Sequence, residues 1–246
     1  MRALILVAGD TIAPLREIRG GFPGWIERQT GDAWPGDWSS HDLRPEGPLP
    51  AVRDADAFYI TGSSSSVTEQ APWMLRAHQL VRDIVNAGAP LLGLCFGHQL
   101  IADALGGEVR RNPRGREIGT VRVKRIVADP LFDGLPDDFD VHATHVDSVT
   151  CLPVGASLLA ETRLEPVAAY RVGRAVWGVQ FHPEFDAEVM RGYLEARADL
   201  VREEGGDPEA LLAAVREQTN GRDMLRNFAT LARNKAYTGA QRVERR

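Results

Sequence analysis

Three continuous apolar segments in the first hundred residues predict buried strands. They are Arg2–Ala8, Ala57–Thr61 and Pro90–Cys95. Unbroken apolar runs of this length are typical of parallel strands that are covered on both faces. Between the second and third segments, Pro72–Ala87 repeats apolar residues at helical spacing and opens with a proline suited to a first helical turn. The order strand, helix, strand predicts a βαβ unit and therefore a parallel sheet.

The middle of the chain changes to short alternating segments separated by glycine- or proline-marked turns. Four of them predict strands that either extend the sheet or form a small antiparallel annex: Gly119–Val127, Ser157–Glu161, Val167–Val172 and Arg174–Phe181. Residues 16–50 are rich in glycine, proline and tryptophan and have weak periodicity. We expect short helices and loops there rather than a second domain.

The pattern after Glu184 is helical to the end of the chain. Three helices are predicted, at Ala187–Glu204, Asp207–Glu217 and Arg222–Ala232. Their apolar stripes predict packing on the preceding residues, and a homodimer interface is the alternative use. We therefore divide the chain into a main domain at 1–195 and a helical C-terminal extension at 196–246, with a frayed tail from about residue 235.

Composition excludes several classes of protein. No apolar run approaches the ~20 residues that span a bilayer, and the first residues lack a secretory leader, so we expect a cytoplasmic protein without membrane contact. A formal net charge of -5 provides no overall positive field that would attract nucleic acid. The two cysteines, Cys95 and Cys151, are too few for a disulfide scaffold and are not spaced as a zinc site. Each thiol is therefore considered singly, and no metal site is predicted.

Cys95 lies between the third predicted strand and an apolar-periodic segment that predicts a helix. Gly93 and Gly97 flank it two residues away on either side. Such glycines are what a sharp strand-to-helix elbow requires, because a side chain at either site would collide with neighbouring backbone. A thiol at a helix N-terminus is favoured as thiolate. A buried structural cysteine is the alternative and remains our interpretation of Cys151, which lacks this frame.

A nucleophilic cysteine needs a base, and His182 has the best position among the six histidines. It follows the predicted strand that ends at Phe181, and His182-Pro183-Glu184 forms a short, stiff turn. The carboxyl ends of parallel strands are where sites assemble in α/β sheets. A carboxylate bonded to the imidazole would fix its tautomer and stabilise its charged form. An ordinary polar turn is the alternative.

These two motifs carry a family resemblance. The segments 93–99 (GLCFGHQ) and 178–184 (GVQFHPE) resemble those of triad-type class I glutamine amidotransferases, in particular stand-alone proteins similar to the amidotransferase part of GMP synthase. The resemblance covers roughly residues 1–195. It implies an α/β three-layer sandwich around a mainly parallel, flavodoxin-like sheet, to which the predicted helical extension is added. It also implies Cys95 as nucleophile, His182 as base and Glu184 as the group that orients the base.

The resemblance implies further site residues. Backbone N–H groups of Gly62, Ser63 and Phe96 match the family's oxyanion hole; Ser63 and Ser64 replace a glycine and a proline that are common in the family, and a serine restricts φ there. Four more residues match positions that recognise the glutamine substrate: Gln99, His145, Val146 and Asp147. The alternative for the segment containing His145 is a solvated loop.

The implied reaction is hydrolysis of glutamine to glutamate and ammonia through a cysteine thioester, without a cofactor. No phosphate-binding Gly-x-x-x-x-Gly-Lys-Ser/Thr loop occurs in the chain, so ATP-dependent activation of an acceptor is not expected here. The ammonia would pass to a separate synthetase subunit. The alternatives are a γ-glutamyl peptidase or hydrolase that uses the same three residues on another γ-glutamyl compound, and a non-catalytic regulatory binding module.

A basic segment remains to be explained. Residues 110–125 contain seven arginines and lysines and one acidic residue, Glu117. A solvated strand face is the commoner meaning of such a segment, and a docking surface for an acidic partner is the alternative.

Overall fold

The computed structural model describes the backbone of residues 1–243 and the side chains of residues 1–235. Its strands are β1 Arg2–Val7, β2 Asp37–Asp42, β3 Ala57–Ile60, β4 Leu91–Leu94, β5 Glu108–Arg111, β6 Glu117–Arg125, β7 Asp138–His145, β8 Asp147–Cys151, β9 Ala156–Thr162, β10 Ala169–Val172 and β11 Val176–Val179. Its helices are α1 Ala13–Arg19, α2 Phe22–Thr30, α3 Pro72–Asn86, α4 Phe96–Ala104, α5 Ala187–Ala196, α6 Ala198–Glu203, α7 Pro208–Ala213 and α8 Asn220–Val243.

Most of these strands join one mixed sheet. Within the described residues its order is β2-β1-β3-β4-β11-β10-β9-β6-β7, and β5 and β8 pair separately. The five strands from β2 to β11 run parallel, and the four that follow pair antiparallel. The parallel part has the 2-1-3-4-5 order of flavodoxin-like sheets. The predicted fold class is therefore confirmed, and three of the four short strands extend the sheet as its antiparallel part.

Helices cover both faces of the sheet and complete a three-layer arrangement. Helices α3 and α4 pack on one face, where their buried residues share a core with β1, β3 and β4. Helices α2 and α8 lie on the other face. Phe228 of α8 packs its ring against Tyr59 and Trp177 of the sheet, with ring centroids 4.9 and 5.8 Å apart. Helix α8 is thus packed on the sheet and forms part of the core.

The structure confirms the apolar strands and the helix between them, but residues 16–50 contain a strand that was not predicted. Strand β2 has the sequence DWSSHD and lies at the edge of the sheet, so it is only half-buried and has no apolar run. Backbone pairing with β1 holds it in place. The expectation of helices and loops alone was wrong for these six residues.

The C-terminal helices differ in detail from their predicted bounds. The helix predicted at Ala187–Glu204 is interrupted at Arg197, which ends α5 and precedes α6. Helix α8 continues to Val243, beyond residue 235 where the sequence predicts a frayed tail. Residues 244–246, the last part of that predicted tail, lie outside the described residues.

Candidate active site

Cys95 occupies a tight bend between β4 and α4. Its φ of 51° is a positive value that non-glycine residues rarely adopt and that stores strain. A Cβ atom on Gly93 would lie 2.4 Å from the carbonyl oxygen of Gly97, and one on Gly97 would lie 2.5 Å from that of Ile60. Neither contact is tolerable. The predicted strand-to-helix elbow and its need for both glycines are confirmed.

Pairing between β4 and β11 brings the two sequence motifs together. The strands run parallel and in register, with Leu94 opposite Val179. The N–H of Cys95 donates to the carbonyl oxygen of Val179 at 2.9 Å. His182 follows three residues later, and its N–H donates to the carbonyl oxygen of His142 at 2.7 Å. Cys95 and His182 therefore lie side by side at the carboxyl edge of the sheet.

Glu184 and an aromatic ring hold the imidazole of His182. Nδ1 of His182 lies 2.8 Å from Oε1 of Glu184, whose side chain is fully buried. The ring of Phe185 stacks on the imidazole with centroids 4.1 Å apart, and Phe22 stacks in parallel at 6.1 Å. These contacts fix the orientation of the ring and leave Nε2 free of the carboxylate.

The charges of Cys95, His182 and Glu184 shift the pKa values of the thiol and the imidazole. Burial raises the pKa of the Cys95 thiol, but the positive charge of His182 and a hydrogen bond from its ring outweigh burial and hold the pKa below its usual value. Burial likewise lowers the pKa of His182, whereas Glu184 and Cys95 raise it above its ordinary value overall. The lowered pKa of Cys95 and the raised pKa of His182 both favour a thiolate beside an imidazolium.

The loop after β3 reaches the same place. A Cβ atom on Gly62 would lie 2.9 Å from Cε1 of His182, so the backbone of this loop touches the imidazole. Ser63 lines a cavity with Cys95. Phe96 is the first residue of α4, and its N–H has no acceptor within the helix. The three backbone groups predicted for an oxyanion hole thus come from segments that flank the thiol.

The thiol and imidazole open into a small cavity of about 160 Å³. Its walls are formed by Asp10, Thr11, Ile12, Phe22, Ser63, Ser64, Cys95, Thr144, His182, Tyr193 and Arg197. Tyr193 and Arg197 line this cavity but were not predicted from the sequence. They lie on or beside α5, where they fit the pattern of an ordinary amphipathic helix, and no local motif indicates them.

The four residues predicted to recognise substrate lie behind this cavity. Nε2 of Gln99 donates to the carbonyl oxygen of Asp147 at 3.0 Å and to Oε1 of Gln180 at 2.9 Å. The carboxylate of Asp147 accepts from the hydroxyl of Ser66 at 2.5 Å. The carbonyl oxygen of Val146, between β7 and β8, accepts from the N–H of Asn112 at 2.8 Å. The polar groups of these residues form hydrogen bonds with other residues of the protein. Of the segment 144–148, only Thr144 lines the cavity.

His145 belongs to a buried group of charged residues. Its Nε2 lies 3.1 Å from a carboxylate oxygen of Glu117, and its Nδ1 lies 3.0 Å from the carbonyl oxygen of Asp147. Burial lowers the pKa of His145, but Glu117 and Glu165 outweigh burial and raise it overall. The segment therefore consists of the end of β7 and the start of β8, and the imidazole of His145 is buried there. The alternative of a solvated loop was wrong.

The described residues offer neither a metal site nor a membrane-spanning helix. They contain no group of three or more histidine, cysteine or acidic side chains placed to hold a metal ion. None of their helices is long and apolar enough to cross a bilayer.

Fold and geometry together define a flavodoxin-like α/β protein with a cysteine on a strand-to-helix elbow and a histidine–glutamate pair beside it. The model of the family "Glutamine amidotransferase class-I" matches residues 50–197. The chain belongs to this family, as the resemblance of its two motifs implied.

Curated relatives agree with this assignment. The chain is 39% identical to the glutamine-hydrolyzing GMP synthase of Aeropyrum pernix over 149 residues, which cover 58% of the chain and 28% of that relative. It is 32% identical to one subunit of the glutamine-hydrolyzing GMP synthase of Archaeoglobus fulgidus over 154 residues, which cover 60% of the chain and 79% of that subunit. The chain thus spans about a quarter of the full-length GMP synthases that it matches.

Solved structures show the same fold. A glutamine amidotransferase from Thermotoga maritima superposes with a TM-score of 0.71 at 24% identity, covering 93% of this chain and 96% of that one. A glutamine amido transferase from Methylobacillus flagellatus gives a TM-score of 0.71 at 22% identity, covering 95% and 92%. At these identities the likeness supports the fold alone.

Proposed function

We propose that the chain hydrolyses the side-chain amide of glutamine, with Cys95 as nucleophile, His182 as acid and base, and Glu184 as the group that orients His182. The observation that carries the proposal is the strained elbow that holds the thiol beside an imidazole whose far nitrogen is bonded to a buried carboxylate. That arrangement is the nucleophile, base and orienting group of a triad.

The reaction proceeds in two halves. The Cys95 thiolate attacks the amide carbon, and the negative oxygen that develops is stabilised by N–H groups of Ser63 or Gly62 and of Phe96. His182 then donates a proton to the nitrogen, the carbon–nitrogen bond breaks, and ammonia leaves a thioester behind. In the second half His182 takes a proton from water, the hydroxide adds to the thioester carbon, and the carbon–sulfur bond breaks. Glutamate leaves, and the thiolate is restored.

The residues behind the cavity have a supporting part in this proposal. Gln99, His145, Val146 and Asp147 hold the ends of β7 and β8 against α4 through hydrogen bonds to one another and to their neighbours. They thereby position Thr144, whose carbonyl oxygen lies 3.8 Å from Sγ of Cys95. Their contribution to substrate recognition is through the shape of this wall.

The size of the cavity favours free glutamine over a larger γ-glutamyl compound. Its volume of about 160 Å³ is well below the roughly 300–1,000 Å³ of pockets that enclose drug-sized ligands. The isolated protein is expected to release ammonia from glutamine faster than it releases the amine from a γ-glutamyl dipeptide at equal concentration. Faster turnover of the dipeptide would favour the peptidase alternative, and turnover of neither would favour a non-catalytic module.

A separate synthetase subunit is the proposed acceptor of the ammonia. The Archaeoglobus relative, which is named as one subunit of a GMP synthase, motivates this proposal. A cleft of about 950 Å³ between β6 and the helices α6 and α7 offers a docking surface for an acidic partner. Five arginines and three acidic residues lie along it, so the cleft carries an excess of positive charge: Arg111, Arg114, Arg116, Arg122 and Arg163, with Glu117, Glu204 and Asp207.

Charge reversal tests this surface. The double substitution Arg111→Glu with Arg114→Glu is expected to abolish co-purification of the synthetase while glutamine hydrolysis by the isolated chain is unchanged, because Arg111 is 70% exposed and neither residue lines the catalytic cavity. Arg28→Glu with Arg53→Glu, two exposed arginines outside the cleft, is the control with the same change of charge. Equal recovery of the synthetase with both double variants would contradict the surface.

A further inference from the structure

Arg197 is fixed at the mouth of the catalytic cavity by the break between α5 and α6. Its backbone N–H donates to the carbonyl oxygens of Tyr193 and Leu194, at 3.1 and 3.2 Å, and its φ of -114° ends the helix there. Its guanidinium carbon lies 5.6 Å from the centroid of the Tyr193 ring, a cation–π arrangement. The hydroxyl of Tyr193 is in turn 2.8 Å from that of Thr11. The side chain is thus held in one place.

The guanidinium of Arg197 has no carboxylate partner among the residues whose side chains are described. It forms no ion pair there, and its Nε is buried without a hydrogen-bond acceptor. Glu204 binds Arg116 through both oxygens, and Asp10, which lines the same cavity, binds Arg44. Burial and the charge of Arg116 lower the pKa of Arg197. A partly buried cation without an anion is costly unless a ligand supplies one.

Arg197 and Cys95 line the same small cavity. Glutamine carries its reactive amide at one end and a carboxylate at the other. When the amide carbon of glutamine lies at the thiol of Cys95, its carboxylate lies elsewhere in the same cavity and needs a binding partner there. The unpaired guanidinium of Arg197 is part of the cavity wall and can supply that partner. A guanidinium is also the side chain best suited to bind a carboxylate, since it can donate two parallel hydrogen bonds.

We propose that Arg197 binds the α-carboxylate of the substrate and thereby selects α-amino acids over simple amides. This inference rests on the proposed hydrolysis of glutamine and adds the group that recognises the far end of the substrate. Arg197 is a binding residue. Its loss affects the affinity for substrate, since the carboxylate takes no part in the bond changes at the amide.

Two substrates test this assignment. Arg197→Gln is expected to raise the KM for glutamine by about 10- to 100-fold, the effect of losing a hydrogen-bonded charge pair, with little change in kcat. For the α-amide of glutamine, which lacks the negative charge, the KM is expected to be the same in the variant and the unmodified protein. Arg202→Gln, an exposed site on α6, is the control. An unchanged KM for glutamine, or an equal rise for both substrates, would overturn the proposal.

Alkylation of Cys95 supplies a readout that does not depend on turnover. Iodoacetate carries a carboxylate and iodoacetamide does not, and the thiolate displaces iodide from both. In a Cys151→Ser background, the ratio of the iodoacetate rate to the iodoacetamide rate is expected to fall at least about fivefold in Arg197→Gln and to recover in Arg197→Lys, which restores the charge. An unchanged ratio in Arg197→Gln would refute the anion site.

The two experiments separate the inference from the function on which it rests. If the unmodified protein releases no ammonia from glutamine but its alkylation ratio still depends on Arg197, the proposed function fails and the anion site stands. If the unmodified protein hydrolyses glutamine and Arg197→Gln changes neither KM nor the ratio, the function stands and the inference fails.

Discussion

Replacing Cys95 with alanine is expected to lower kcat for glutamine hydrolysis by about 1,000-fold or more. In the proposed mechanism the sulfur forms the bond to the amide carbon, and a methyl group cannot take its place. The side chain is small and 6% exposed, and the backbone of the elbow is held by Gly93, Gly97 and the hydrogen bond to Val179, so the fold is expected to persist. Steady-state release of ammonia measures the loss.

Cys151→Ala is the matched control. This second thiol is exposed at the end of β8, so its interpretation as a buried structural cysteine was wrong. It does not line the cavity, and kcat is therefore expected to remain that of the unmodified protein. If the Cys95 variant kept more than about a tenth of the activity, the thioester mechanism would have to be abandoned, since loss of a covalent nucleophile removes far more than that.

Replacing His182 with glutamine is expected to lower kcat by about 10²- to 10⁴-fold and to raise the pKa of Cys95. In the unmodified protein the imidazolium outweighs burial and holds the thiol pKa below its usual value. Without that charge, burial and the carboxylate of Glu184 favour the neutral thiol, and only the smaller effect of the His145 charge opposes them. The midpoint of iodoacetamide alkylation against pH is therefore expected to move from below the pKa of an ordinary cysteine to above it.

This titration is best made in the Cys151→Ser background, so that one thiol reacts. His41→Gln is the control, because His41 lies on the edge strand β2 and does not line the cavity. The same midpoint in His182→Gln and in the unmodified protein would show that the imidazole does not activate the thiol.

The sequence predicts the centre of the site because that centre is encoded locally. Gly93, Cys95 and Gly97 lie within five residues, and the clash that requires Gly93 is with the backbone of Gly97 itself, whereas the clash that requires Gly97 is with Ile60 on β3. His182 and Glu184 are separated by one proline, so their mutual hydrogen bond depends on a single turn. Apolar runs likewise identify β1, β3 and β4, since strands covered on both faces must be apolar throughout.

The remainder of the site depends on contacts between distant segments. Tyr193 meets Thr11 across 182 residues, and the break that directs Arg197 into the cavity lies inside an apolar pattern that predicts one continuous helix. His145 is buried because β6 and β7 pair with Glu117 directly opposite it. A one-residue change of register would place it on the other face, and the sequence does not state the register.

The small volume around Cys95 bears on how a thioester would be resolved there. A cavity of about 160 Å³ leaves little room beside the acyl group that a thioester would place in it. Water fits into such a space, whereas an amino acid or a peptide amine is several times larger. We therefore expect the walls of this cavity to favour hydrolysis over transfer of the acyl group to bulky amines.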